Sequence, residues 1–294
     1  MAYRTDLAVE LLENLRGRDE LSGVSEREYE REGLHIHEAE VTTERAAQLL
    51  GKPCGRYLTL SLEALSRREE EAFPRSVRVL AALIETLLPP LDSAAPLLIA
   101  GLGSRSITPD AVGPRSADHV IATRHLISRS PEFFASWRPV SVLAPGVLGQ
   151  TGVETGEIVR GVLDHVRPRA VIAIDALAAG RLSRLVRTVQ LADTGIVPGS
   201  GVNNARAALD RQTLGVPVLS IGVPTVADGG SLAHEIAQQL DGAQCEALDD
   251  LSQPFIITTR DIDREVADTA RLIGYAVNMA LQHISVEEID LYLS

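Results

Sequence analysis

Aromatic side chains supply only 3% of this chain, so leucine, valine, isoleucine and alanine must fill its core. That filling suits helices packed on a sheet buried on both faces. Cysteine is nearly absent. Cys54 and Cys245 lie far apart and form no CxxC, which points to two buried, unpaired thiols in a reducing compartment rather than a disulfide. Lys52 is the single lysine; the other basic residues are arginine, a bias read as genome composition. No apolar run approaches the ~20 residues that span a bilayer, and the start "MAYRTDLAVELL" lacks the pattern of a secretory signal. A soluble, cytoplasmic protein with no membrane partner is expected. Basic charge is also short, with 28 Lys and Arg against 40 Asp and Glu and a formal net charge of −12. Such a surface repels phosphate, so no direct nucleic-acid partner is expected.

Several catalytic signatures are missing. There is no GxSxG and no GK[ST], and His234-Glu235 has no second histidine to complete HExxH. "GLGSRS" (101–106) is a broken GxGxxG without a clear acid after the next strand. No cofactor and no metal are expected. His35 and His37 share one strand face and read as solvated side chains rather than ligands.

What is present is a regular α/β rhythm. With 294 residues, 45% of them hydrophobic, the chain can bury one large core or two modest ones. Residues 5–16 have leucines at helical spacing, with Thr5 as N-cap and Asp6 in the first turn. Residues 17–32 are polar and read as a loop or weak helix. Strands follow at 33–41 and 55–62, then an amphipathic helix at 67–88 stopped by Pro89-Pro90. Apolar strands recur at 97–101, 140–144, 170–174, 186–192 and 216–222, with a last one at 254–259. Helices are expected at 111–129, 154–166, 204–210, 229–240 and 261–283. The pattern predicts a doubly wound, mostly parallel sheet with helices on both faces, α/β/α, plus an N-terminal strand-containing extension.

In such sheets the working cleft lies beyond the carboxyl ends of the strands, and that rule selects the candidates. Asp110, in "SITPDAVGP" (106–114), follows strand 97–101. Its local sequence favours a cap on helix 111–129, a role compatible with facing a cleft. Asp175 ends "AVIAIDAL", where an acid is costly unless paired, hydrogen-bonded or protonated. It is either a structural acid held by loop amides or a functional one. If their strands are neighbours, the two carboxyls converge and one retains a proton. The charged member can then activate water, while the protonated one polarises a carbonyl or donates to a leaving amine. Asp193 in "ADTG" (192–195) imitates a retroviral-type aspartic protease motif but reads first as a turn acid. Glu154, in the glycine-rich "GVLGQTGVETGE" (146–157), and His125 in "ATRHL", read first as helix-packing, are second-tier candidates.

The segments "RTDLAVE" (4–10), "GRYLTL" (55–60), "GLGSRSITPDAVGP" (101–114), "TRHL" (123–126), "RPVSVLAPGVLGQTGVETGEIV" (138–159), "VIAIDALA" (171–178), "DTGIVPGSGV" (193–202) and "TLGVPVLSIGVPTV" (213–226) occur in one order. Together they resemble the germination proteases of spore-forming bacteria, over most of residues 4–228. The resemblance implies an α/β/α fold similar to the hydrogenase-maturation proteases. It implies an aspartic-type endopeptidase with Asp110 and Asp175 as its pair, acting on small acid-soluble spore proteins in the spore core. It also implies a zymogen whose propeptide, residues 1–10, leaves by autoprocessing between Glu10 and Leu11, with substrates likewise cut after Glu before an apolar residue. The remaining 11–294 would be a single peptidase domain with its motifs in about 97–228, assembled as a homotetramer. Val197 stands where the family usually has histidine, and the family's long segment is reduced to a short 241–253. Two other readings remain: a metal-dependent maturation-type protease using the same acids, and a non-enzymatic carboxylate or metal-binding module.

Overall fold

The computed structural model describes residues 5–15, 22–202, 205–230 and 255–294. Nine strands among them join in one sheet: β1 (Val24–Arg31), β2 (Leu34–Val41), β3 (Gly55–Ser61), β4 (Leu97–Gly101), β5 (Val140–Leu143), β6 (Ala170–Ala179), β7 (Thr188–Ala192), β8 (Val218–Asp228) and β9 (Ile256–Ile257). Their order is β1-β2-β3-β7-β8-β6-β4-β5, with β9 added to β8. The fold is α/β, and its sheet is mixed. β5, β4, β6 and β8 run parallel, whereas β1, β2, β3 and β7 pair antiparallel and join β8 antiparallel.

The apolar runs follow from burial on both faces. On β4 and β6, Leu97, Ile99, Ile172 and Ile174 enter one core with helices α4 (Ala72–Leu87) and α11 (Ile262–Gln282). Leu98, Ala100, Val171 and Ala173 enter the opposite core with Val159 and Leu163 of α9 (Thr155–Val166). Each buried leucine, isoleucine or valine among them contributes about 1.5–3 kcal/mol, which is why neither face can be polar. Helix α5 (Val112–Asp118) lies over β4 and β6. Helices α1 (Ala8–Leu15) and α2 (Glu44–Leu50) cover the antiparallel part with Tyr57 and Ala192. No helix among the described residues is long and apolar enough to cross a membrane.

Several local expectations change. Part of the polar stretch 17–32 is β1, held to β2 by cross-strand pairs such as Arg27 with Glu38 at 2.6 Å. Charge pairing across a hairpin leaves no apolar periodicity to read. His37 is buried and bonded to Glu26 at 2.9 Å rather than solvated, while His35 is exposed. The helix expected at 111–129 is broken into α5 and α6 (Arg124–Arg129), because Ile121 and Thr123 donate their N–H groups to Asn278 Oδ1 and the Val140 carbonyl. Among the described residues 205–210 there is no helix; Leu209 instead bridges to Ile196. Cys54 is exposed, so the buried thiol expected there is not found. Cys245, His234-Glu235, most of the helix at 229–240 and the short 241–253 segment lie outside the described residues.

Candidate active site

β6 runs four residues past Asp175, to Ala179, so the acid lies within the strand and not at its end. β4 is what stops. Gly101 pairs with Ile174, and Leu102 N–H donates to the Ile174 carbonyl at 2.8 Å. Asp175 is therefore the first β6 residue beyond β4, while its other side is closed by Gly222 of β8. Its carboxyl is buried, and Oδ1 accepts the Ala176 N–H at 2.9 Å. Burial pushes this carboxyl well above the usual aspartate range; the Asp110 charge pushes it the same way, against the Ala176 bond.

Asp110 reaches the same place from β4. The loop leaves the sheet through Gly103, whose φ of +106° is the left-handed region that favours glycine. A Cβ on Gly103 would lie 2.1 Å from the Asp110 carbonyl oxygen. Thr108–Asp110 form a tight turn, pinned where Thr225 Oγ1 donates to the Pro109 carbonyl at 2.6 Å. Asp110 is not the expected helix cap. Ala111 precedes α5, and the Asp110 carboxylate turns back to accept the Ser104 N–H at 2.8 Å. Burial raises this carboxyl too, and the Ser104 bond opposes the rise. Gln150 of α8 (Leu148–Thr151) donates to Ser104 Oγ at 2.8 Å and Ser106 Oγ at 3.0 Å, which ties the two loops together.

Asp110 and Asp175 line one cavity of about 580 Å³. Glu154 lines it as well, at the start of α9, and pairs with Arg206 at 3.4 Å. His125 and Asp193 are not among its lining residues. His125 is exposed in the first turn of α6 rather than packed mid-helix, and Asp193 is an exposed turn acid accepting the Arg56 N–H at 2.8 Å. Among the described residues no group of three or more His, Cys, Asp or Glu is placed to hold a metal.

Sequence reasoning missed how the N-terminus docks. α1 begins at Ala8, so Thr5 is no N-cap; its Oγ1 accepts the Leu7 N–H. Asp6 N–H donates to the Ala178 carbonyl at 2.9 Å, and the Asp6 carboxylate accepts Ala178 N–H at 2.8 Å and Ser200 Oγ at 2.6 Å. Asp6 thereby lines the acid cavity and also a second one of about 370 Å³ beside it. Glu10 is fully buried in α1, with its carboxylate on the N–H groups of Gly180 and Arg181. Leu11 follows it in the same helix. An acid on an amphipathic helix normally reads as solvated, so the sequence carries no signal for either contact.

The germination protease family model matches residues 5–240. A germination protease of Caldanaerobacter subterraneus subsp. tengcongensis is 39% identical over 96% of this chain and 95% of its own. One of Clostridium tetani is 34% identical over the full length of both. One of Bacillus subtilis is 44% identical over 79% of this chain and 65% of its own. On these matches the chain belongs to the germination protease family, peptidases acting on protein in spore germination.

Proposed function

We propose that Asp110 and Asp175 are the catalytic pair of an aspartic-type endopeptidase. The observation carrying this is their meeting in one cavity, with both carboxyls raised and the buried one raised further by its neighbour's charge. Two such acids titrate as a unit and share one proton over a range of pH. The ionised member takes a proton from water as it attacks the peptide carbonyl. The protonated member donates to that carbonyl oxygen, and a proton then passes to the leaving amine.

In the full reading the chain is a zymogen. Residues 1–10 are the propeptide and 11–294 the single peptidase domain, with small acid-soluble spore proteins as substrate in the spore cytoplasm. Cleavage falls after Glu and before an apolar residue, as it does between Glu10 and Leu11, and the protein works as a homotetramer. Family membership and the occupation of the acid cavity by Asp6 support this reading. Asp110→Asn and Asp175→Asn are expected to abolish both cleavage of these proteins and removal of residues 1–10, read by N-terminal sequencing. Near-normal cleavage by either folded variant would sink the pair mechanism.

A further inference from the structure

β8 carries the sequence "GVPTV" (222–226) alongside the acids. Gly222 pairs with Asp175 and Pro224 with Leu177, but Ala178 pairs with Val226, so Thr225 is left out of the ladder as a bulge. The cause is local. Proline has no N–H to give to a ladder, and a strand that carries one inside a sheet bulges there. A bulge bends its strand and re-aims a side chain. Here the side chain of Thr225 is wholly buried, lines the acid cavity, and donates through Oγ1 to the Pro109 carbonyl at 2.6 Å.

Two further hydroxyls tie the same assembly. Exposed Thr258, just past β9, donates to the Thr225 carbonyl at 2.7 Å, and Thr108 donates to Asp263 of α11 at 2.7 Å. The Ser104 N–H holds the Asp110 carboxylate within its own loop. Thr225 instead joins the backbone of that loop to the strand paired with Asp175. The Pro109 carbonyl belongs to the planar peptide that leads into Asp110, so a bond that fixes this carbonyl also fixes where the next side chain starts.

We propose that Thr225 is a positioning residue for the reaction: the bulge at Pro224-Thr225 brings its hydroxyl onto the Pro109 carbonyl, and that bond sets the separation of Asp110 from Asp175. This rests on the peptidase reading above. Two like charges held close spread the apparent pKa values of the pair apart, and activity lies between them, where one acid is charged and the other protonated. Releasing the turn lets Asp110 move away, so the two values draw together and the active pH range narrows. The other charged groups facing the pair are Asp6, Glu154 and Arg206 on the cavity and Asp263 at the turn. Asp6 leaves with residues 1–10, Glu154 stays paired with Arg206, and Asp263 is held by Thr108, so none of them depends on the Thr225 hydroxyl.

The test is kcat and KM against pH for Thr225→Val and Thr225→Ser, on the purified, processed protein with a peptide bearing Glu before the scissile bond. Valine keeps the shape and removes the donor; serine keeps the donor. A misplacement of about 1 Å costs on the order of 10²-fold in rate, so Thr225→Val is expected to lower kcat about 10- to 100-fold with KM little changed, and to narrow the active pH range. Thr225→Ser is expected to restore most of kcat and the full range. A folded Thr225→Val protein with unaltered kcat would overturn the proposal. So would a kcat loss with an unmoved pH profile, or a Thr225→Ser protein as impaired as the valine form. If Thr225→Val does not fold, Thr258→Val decides in its place: it removes only the bond to the Thr225 carbonyl, at an exposed position. A several-fold lower kcat with a narrowed range supports the positioning role there, and an unaltered profile overturns it. Failure of the unaltered, processed protein to cut the peptide would refute the peptidase reading itself, whereas an active protein indifferent to these substitutions refutes the positioning role alone.

Discussion

Gly113→Ala is the sharpest test of how Asp110 is placed. Gly113 sits in the first turn of α5, three residues after Asp110, and α5 rests directly on the sheet backbone. A Cβ there would lie 2.2 Å from the Leu102 carbonyl oxygen and 2.3 Å from that of Ile174, where real contacts do not fall below 3.0 Å. Both neighbours are main-chain atoms of the β4–β6 junction, so neither can swing aside. Helix α5 must lift by about 1 Å, taking Asp110 away from Asp175, and a misplacement of that size costs on the order of 10²-fold in rate. Overpacking adds about 1–3 kcal/mol of instability, and each kcal/mol lowers Tm by about 2–4 °C in a domain of this size. The assay is kcat on a peptide substrate beside a melt followed by circular dichroism. Gly161→Ala is the control: it lies on the exposed face of α9 with nothing within 4 Å of the added Cβ, and a helix gains up to about 1 kcal/mol from alanine. Its kcat should be unchanged and its Tm slightly higher. A Gly113→Ala protein with full kcat and unaltered Tm would refute the close seating of α5.

Asp175 should also shape stability against pH. Its carboxyl is raised in the fold, so as pH climbs past the ordinary aspartate value of 3.8 the unfolded chain ionises first, and stability falls until the raised value is passed. Asn does not titrate and keeps an oxygen for the Ala176 N–H. Asp175→Asn should therefore melt above the unaltered protein at pH 7, the gap closing as pH falls below about 4; a pH-independent gap would contradict the burial argument. Glu10→Gln sets an amide NH2 against the Gly180 or Arg181 N–H, a cost of about 1–3 kcal/mol. Hydrogen exchange read by mass spectrometry should quicken across α1, and unchanged protection would show that the Gly180 and Arg181 contacts do not hold the helix.

Strand 97–101 was legible because every residue is apolar, the mark of a strand buried on both faces. The end of β6 was not. The apolar run stops at Asp175, but the strand continues because β8 supplies partners as far as Ala227, a neighbour distant in sequence. The convergence of the two acids likewise depends on β6 lying beside β4, although β5 lies between them in the chain. Asp110 read as a cap because an acid before an amphipathic run usually is one. Its turn toward Ser104 depends on the loop closing at Gly103, and no local pattern encodes that closure. The contacts of Asp6 and Glu10 were illegible for the same reason, since their partners lie more than 160 residues away.

The proposed processing bond sits in an informative place. Leu11 N–H donates to the Leu7 carbonyl at the start of α1, and the Glu10 carboxylate is held at Gly180, just past the end of β6 and five residues after Asp175. A helical peptide bond has its carbonyl and amide engaged and its flanks covered by side chains, so it cannot be presented to the two acids. Hydrolysis between Glu10 and Leu11 thus requires α1 to unwind and Glu10 to leave Gly180 and Arg181. The free energy that docks α1, from buried Ala8, Val9 and Leu12 as well as Glu10, becomes part of the barrier to processing, about tenfold in rate for each 1.4 kcal/mol. In the proposed zymogen, the contacts that seat Asp6 in the acid cavity and Glu10 on Gly180 and Arg181 are therefore the same ones that keep the processing bond uncut. Latency then needs no separate lock: any condition that loosens α1 both exposes the bond and frees the acid cavity of Asp6.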